Sequence, residues 1–377
     1  MDNAYLTPER ELLREQVARF VAREVEPHAQ AWEEAGFTPR EVLRKMGKAG
    51  LLGLQFAPEY GGGGADALTN LVFAEALSRS TFGGFIITVL VHTDMAGPHL
   101  QHAGTAVQLA RWMPGITSGE LITALAITEP GAGSDVAAIT TTARRDGGHW
   151  VLNGRKLYIT NGVHAGLLFV AARTGIARHA LSIFAVEAGT PGLSIGRVLD
   201  KSGWLSSDTA ELLFDDCRIP AANLLGEEGQ GFRALMKNFQ TERIALAAMA
   251  VGHATRALEI TREFVAERRA FGAPLWDKQA IRQRLAMLDA RTRAARAFMF
   301  HCAWAITEGQ DVVQEVSMLK ALTGELVNEV VATCQQFHGG MGYMRGMAIE
   351  RLWRDARVLA IGGGATEVML DEVAKRY

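Results

Sequence analysis

LITALAIT at residues 121–128, HWVLNGRKLYIT at 149–160, GLLFVAAR at 166–173, ALSIFAVEA at 180–188, LSIGRVL at 193–199 and AELLFDDCRI at 210–219 decide the fold. Each is a short run rich in β-branched or aromatic residues and bounded by Gly, Asn, Asp or Pro, which is how strands and their turns are written. No helix-length segment separates them. They therefore predict an antiparallel sheet, as a small barrel or sandwich, rather than the parallel sheet of a nucleotide-binding fold. On either side the period is helical. Thr7 reads as an N-cap before Pro8 and Glu9, and Leu12, Val17, Phe20, Val21 and Val25 recur at helical spacing. Similar stripes follow from Val42 to Leu51 and from Leu68 to Leu77, with Gly61 to Gly64 as a loop. Beyond residue 231 long helical periods return, broken at Phe271–Pro274, Gly339–Gly342 and Gly362–Gly364. The expected fold class is α+β: an N-terminal helical domain (1–120), a middle antiparallel β domain (121–230) and a C-terminal four-helix-bundle-like domain (231–377).

Composition removes several function classes. The 39 basic and 41 acidic residues give a net charge of −2 and are scattered along the chain, which argues against a nucleic-acid or anionic-membrane surface. Hydrophobic residues make up 48% and charged ones 21%, the balance of a globular chain with a large core. Cys217, Cys302 and Cys334 match no paired or zinc-ligand spacing, so a reducing, cytoplasmic setting is expected. The N-terminal stretch MDNAYLTPERELLREQ lacks an apolar signal core, and the longest apolar run, Phe82 to Val91, is too short for a membrane span. His92, His99 and His102 have no acidic or thiol partner at a metal-ligand spacing, so no metal is expected. The glycine clusters at Gly61, Gly131 and Gly362 do not complete GxGxxG, and no Walker sequence is present.

The densest stretch is AITEPGAGSD, Ala126 to Asp135. Pro130, Gly131 and Gly133 force an irregular turn, and Thr128 and Ser134 put hydroxyls beside backbone donors. By composition alone this is either an ordinary loop or one that wraps a polar cofactor edge. Three further segments join it in order: NGRKLYITN at 153–161, ERRAFGAPLWDKQ at 267–279 and QFHGGMGYMRGMAIERLWRDAR at 336–357. Together they resemble the acyl-CoA dehydrogenase family of flavoproteins along essentially the whole chain.

The resemblance implies FAD. Leu125, Ile127 and Thr128 would meet the flavin ring from one strand, with Tyr158 and Thr160 on its other side. Tyr158 stands where the family usually has Trp, and Gly346 where it usually has an acidic or amide residue. Ser134 would lie near the CoA or phosphate portion. Arg268, Phe271 and Gln279 would bind the pyrophosphate and adenosine of FAD across a subunit boundary, and Gln336, Gly339 and Gly340 would line the same channel. A diphosphate favours Arg and close backbone donors. A helix-breaking turn at Gly339–Gly342 and a solvated Arg268 remain the plain alternatives.

The implied chemistry is α,β-desaturation of an acyl thioester, in which a carboxylate removes the α-proton while hydride leaves the β-carbon. Many family members carry that carboxylate in a Tyr-Glu-Gly-Thr loop after the RDAR segment. Here the loop reads IGGGATEVM, 361–369, with Gly363 at the catalytic position; Glu367 matches a flavin contact instead. Isovaleryl- and long-chain-type members place the base on an earlier helix, and the matching residue is Glu242, with Arg243 beside it to orient acid or substrate. Leu235, Phe239, Glu242, Leu246 and Met249 lie on one helical face, so Glu242 interrupts an apolar stripe. An ion pair with Arg243 or Arg256 would also suit that position.

Phe239, Met95 and Gly97 fall where the resemblance puts the acyl chain, and the small residues of Met95–Pro98 would leave room for a long or branched one. The resemblance further implies an electron-transfer flavoprotein as acceptor and a homotetramer built as a dimer of dimers. An oxidase relative using dioxygen and a non-catalytic CoA-binding scaffold are the competing readings.

Overall fold

Thr7 accepts a hydrogen bond from the Arg10 amide, and with Pro8 in the first turn it opens the first helix. The computed structural model describes residues 5–377. Seven helices form the first part: α1 (Pro8–Phe20), α2 (Ala29–Ala35), α3 (Arg40–Lys48), α4 (Ala67–Leu77), α5 (Gly83–Leu90), α6 (Gly97–Ala103) and α7 (Ala106–Ser118). The five-residue-turn segment Val91–Ala96 joins α5 to α6. Residues 83–100 are buried throughout, because both faces of this rod are covered by protein.

The sheet holds β1 (Thr123–Ala126), β2 (Thr142–Asp146), β3 (His149–Thr160), β4 (Leu167–Arg173), β5 (Leu181–Glu187), β6 (Leu193–Val198), β7 (Thr209–Pro220) and β8 (Leu224–Leu225). Their order is β6-β7-β3-β2-β4-β5-β8, with β1 beside β4. Each expected run forms a strand, and the structure adds β2 and β8. It also corrects the orientation of two pairs: β1 runs parallel to β4, with Leu125 opposite Phe169, and β2 meets β4 in parallel at Thr142 and Arg173. Other strands lie between the members of each pair in the chain, so no hairpin turn imposes the antiparallel sense. Register shifts in β3 at Leu152/Gly154 and Lys156/Ile159 re-aim its side chains: Lys156 and Leu157 are buried, whereas Tyr158, at φ 61°, faces out.

The last part contains α8 (Gly231–Glu267), a small hairpin of β9 (Arg269–Ala270) and β10 (Ala273–Pro274), α9 (Gln279–Thr307), α10 (Val313–His338), α11 (Ala348–Ala356) and α12 (Thr366–Ala374). Buried residues of α1, α4 and α5 and of α8, α9 and α10 form one contiguous apolar cluster, so the two helical regions share a core. Asp355 at the end of α11 fastens the parts: its carboxyl accepts the Trp204 amide at 2.6 Å and the Gly83 amide at 3.0 Å. No helix among the described residues is long and apolar enough to cross a membrane.

Candidate active site

Leu235, Leu246 and Met249 bury the stripe of α8 on which Glu242 stands. The Glu242 residue is half-buried, but its Oε2 is sealed from solvent and has no hydrogen-bond partner. Burial lifts its pKa to about 7 against the lowering charges of Arg243 and Lys320. The ion-pair alternative is closed: among the described residues no cation lies within 4.0 Å of this carboxyl, and Arg256 pairs with Glu259 at 3.6 Å. The Arg243 guanidinium instead stands 5.7 Å from the centre of the Phe239 ring. A Cβ added to Gly363 would lie 3.4 Å from Glu242 Oε1 and 2.1 Å from Leu246 Cδ1. The two positions at which a base could be carried therefore converge on one point, and here the helix fills it.

A second group gathers where β1 ends. Thr128 O accepts the Leu157 amide at 2.8 Å, which brings Leu125, Ile127 and Thr128 beside Tyr158 and Thr160. Lys156 Nζ, fully buried, donates to Ile127 O at 2.9 Å and to Glu129 Oε1 at 2.8 Å. Glu129 also accepts from Thr140 and Thr141. Burial opposes ionisation of Glu129, but the Lys156 charge and these hydrogen bonds bring its pKa down to about 2. Gly131 and Gly133 have open space above their Cα atoms, and Ser134 is exposed beside them. Tyr158 is 66% exposed, a large aromatic face left uncovered.

A third group stands at the far end of α8. Phe264 stacks on His338 at 4.3 Å, so the end of α8 and the end of α10 meet. Exposed Arg268, Phe271, Gln279, Gln336, Gly339 and Gly340 are thereby brought to one end of the bundle. Phe271, on the hairpin tip at φ 53°, is 94% exposed. At 1.5 Å per residue, the 26 residues from Glu242 to Arg268 span about 39 Å, so this group and the base do not share one pocket within the chain. Glu367 is exposed in the first turn of α12.

One expectation, that the small residues of Met95–Pro98 leave room, is revised. Met95 is buried and its carbonyl accepts from Asn238 Nδ2 at 2.9 Å, tying the α5–α6 rod to α8. Gly97, by contrast, leaves no spare room: a Cβ there would fall 2.5 Å from Phe56 Cζ and 2.9 Å from His92 O. Its smallness serves helix packing. Clefts of about 500 and 250 Å³ open on another face of α8, lined by Arg233 and Lys237 and by Thr241 and Ile244, not by Glu242. Sequence reasoning missed Lys320, Lys156, Glu129 and Asn238. Lys320 carries the same signal as Glu242, since Val316, Lys320, Thr323 and Val327 form one buried stripe of α10.

Three family models cover the chain in order: the acyl-CoA dehydrogenase N-terminal domain at residues 7–120, the middle domain at 124–217 and the C-terminal domain at 229–377. The chain belongs to the acyl-CoA dehydrogenase family. Among its relatives is the mitochondrial long-chain specific acyl-CoA dehydrogenase of Mus musculus, 40% identical over 374 residues, covering 98% of this chain and 86% of the relative. The acyl-CoA dehydrogenase of Geobacillus kaustophilus superposes with a TM-score of 0.95 at 39% identity, covering 99% of both chains. A glutaryl-CoA dehydrogenase from Mycobacterium smegmatis, solved in complex with FADH2, superposes at 0.93 with 26% identity over 99% of this chain and 95% of that one. Like other acyl-CoA dehydrogenase family members, this protein is an oxidoreductase. Its residues fit the family's flavin: an uncovered aromatic at Tyr158, an open glycine cradle at 131–133 and a rigid strand end at Thr128 are what a flat ring with a diphosphate tail requires.

Proposed function

We propose that the protein desaturates an acyl-CoA thioester between its α- and β-carbons, with Glu242 as the base and a long or branched acyl chain as substrate. FAD, when bound, supplies the acceptor for the β-hydride. The single observation that carries this reading is a carboxyl with one oxygen buried, unpartnered and raised to about 7, on an apolar helix face. Such a group is costly unless function retains it. Glu242 takes the α-proton as its bonding pair becomes the new C=C bond, while the β-hydrogen leaves with its own pair. The product is the 2-enoyl thioester. Raised basicity matches the weak acidity of the α-carbon. Arg243, braced on Phe239, orients the carboxyl or the thioester.

Thr128, Tyr158 and Thr160 would hold the flavin ring, and Gly131, Gly133 and Ser134 the phosphate side of the ligands. Arg268, Phe271, Gln279, Gln336, Gly339 and Gly340 would complete the FAD site of a second copy in a homotetramer, which gives the exposed hairpin a purpose. The relatives described as long-chain specific support the chain-length reading. An electron-transfer flavoprotein is the proposed acceptor, and the three unpaired thiols suit a reducing cytoplasm.

The test is anaerobic bleaching of the flavin by a panel of acyl-CoA thioesters. Glu242→Gln is expected to retain FAD and lose bleaching at least about a hundred-fold; undiminished bleaching rejects the base. A maximum at butyryl-CoA would overturn the long-chain assignment, and rapid peroxide release under air would favour oxidase chemistry.

A further inference from the structure

Lys320 is a buried ammonium without an ion pair. It is 2% exposed, and among the described residues no carboxylate lies within 4.0 Å of its nitrogen. Its hydrogen bond goes to the carbonyl of Gly364, in the glycine loop. Leaving such a group unpaired inside a protein is costly, so its retention calls for a cause. The cause stands next to it. Gly363, one residue before the anchored carbonyl, has its Cα face against Glu242 Oε1. Two buried groups of opposite charge thus flank one loop without touching, although each lacks a counter-ion in contact.

We propose that Lys320 is a positioning residue for the base: anchored on Gly364, it holds the glycine loop against Glu242 and lends the carboxylate a positive charge at a distance. The distance matters. A contact pair would leave the carboxyl too weak to take an α-proton, as at Glu129, whereas no charge at all would leave it protonated near neutrality. The shifts on both partners agree. Burial pushes Lys320 down to about 8 with Arg243 adding to the fall, while Glu242 and Glu325 oppose it. The charges acting on Glu242 are Arg243 from its own helix and Lys320 from α10; further out, Glu325 faces Lys320 and Glu372 of α12 faces Arg243.

The inference rests on Glu242 being the base, and the experiment separates the two. FAD-loaded enzyme is assayed for the pH dependence of anaerobic bleaching by an acyl-CoA that reduces the wild type. The variants are Lys320→Gln, which keeps a donor for Gly364 O but loses the charge, and Lys320→Arg, which keeps the charge. Lys320→Gln is expected to move the midpoint up by about one pH unit, a roughly ten-fold slower bleaching on the acid side, with the alkaline plateau largely retained. Lys320→Arg is expected to keep the wild-type midpoint. Read without substrate, the fall in thermal stability with rising pH begins at the same pH in Lys320→Gln as in the wild type but levels off about one unit higher, in parallel with the bleaching midpoint. A midpoint unmoved by Lys320→Gln, or failure of both variants to fold, assigns Lys320 to scaffolding alone and overturns the proposal. Bleaching that survives Glu242→Gln would instead sink the base itself.

Discussion

A carboxyl shielded from water is held ionised or left readily protonated according to how close its counter-charge stands, and this chain contains both outcomes. Glu129 touches Lys156 at 2.8 Å and is held near 2; Glu242 has no cation within contact and rises to about 7. Because the carboxyl of the free enzyme sits near 7 and only its ionised form accepts a proton, bleaching by an acyl-CoA should accelerate as pH climbs through about 7; stopped-flow rates from pH 5.5 to 8.5 check this. Gly363 offers a second prediction. At φ +64°, with Leu246 Cδ1 2.1 Å from where a Cβ would go, Gly363→Ala meets both left-handed strain and overlap. It should cost about 2–4 kcal/mol and slow bleaching. Moving the acid, as Glu242→Gln with Gly363→Glu, should not restore activity until Leu246 is also trimmed to Ala. Rescue without that trimming would show that the loop yields. Glu242 is visible in the sequence as an acid in an apolar stripe, but the role of base proposed for it comes from the family resemblance. Lys320 carried the same mark on α10, but its meaning depends on Gly364, 44 residues away, which periodicity does not reach.

At the scale of elements, the loop after β1 depends on a weld to β3. Lys156 is drawn inward by the register shift at Lys156/Ile159, the same irregularity that turns Tyr158 outward. One bulge thus buries the anchor and exposes the aromatic. Lys156→Met leaves Glu129 buried and unpaired, and should cost about 3–5 kcal/mol and weaken FAD retention. Adding Glu129→Gln should recover much of the stability, which denaturant titration of the single and double variants would reveal. The strands themselves were readable, since β3, β4 and β5 are apolar runs between turn residues. The sequence TARRD of β2 was not, because only Ala143 is buried and Arg144, Arg145 and Asp146 follow it as a charged run without an apolar alternation. Nor was the parallel pairing of β1, which is a property of the path between strands rather than of any strand. Gly97 misled for a related reason: a small residue reads as room, but Phe56 fills it.

Across the whole molecule, the helices before and after the sheet share one core, so a charge trapped on α8 is felt as stability of the entire fold. Two acids set opposite limits. Glu242 has a folded pKa raised from 4.5 to about 7 by burial, so its favourable contribution is complete below pH 4.5 and disappears as pH rises through about 7. Glu129 is lowered from 4.5 to about 2, chiefly by Lys156 against its own burial; its contribution is complete above pH 4.5 and disappears as pH falls through about 2. Both contributions are complete only near pH 4.5, so through these two acids stability should be greatest at acidic pH and decline toward neutrality. Asp355, likewise raised to about 7 by burial, and Asp94, raised to about 6, share the alkaline limb, so a comparison of the wild type with Glu242→Gln isolates the Glu242 part. Between pH 6 and 8.5 the wild type should lose on the order of 1 kcal/mol through Glu242, while Glu242→Gln, which cannot ionise, should lose correspondingly less. Urea titrations of both proteins at the two pH values measure the difference directly. Equal losses would mean that the carboxyl is already ionised at pH 6, and the raised basicity on which the chemistry depends would have to come from substrate binding instead.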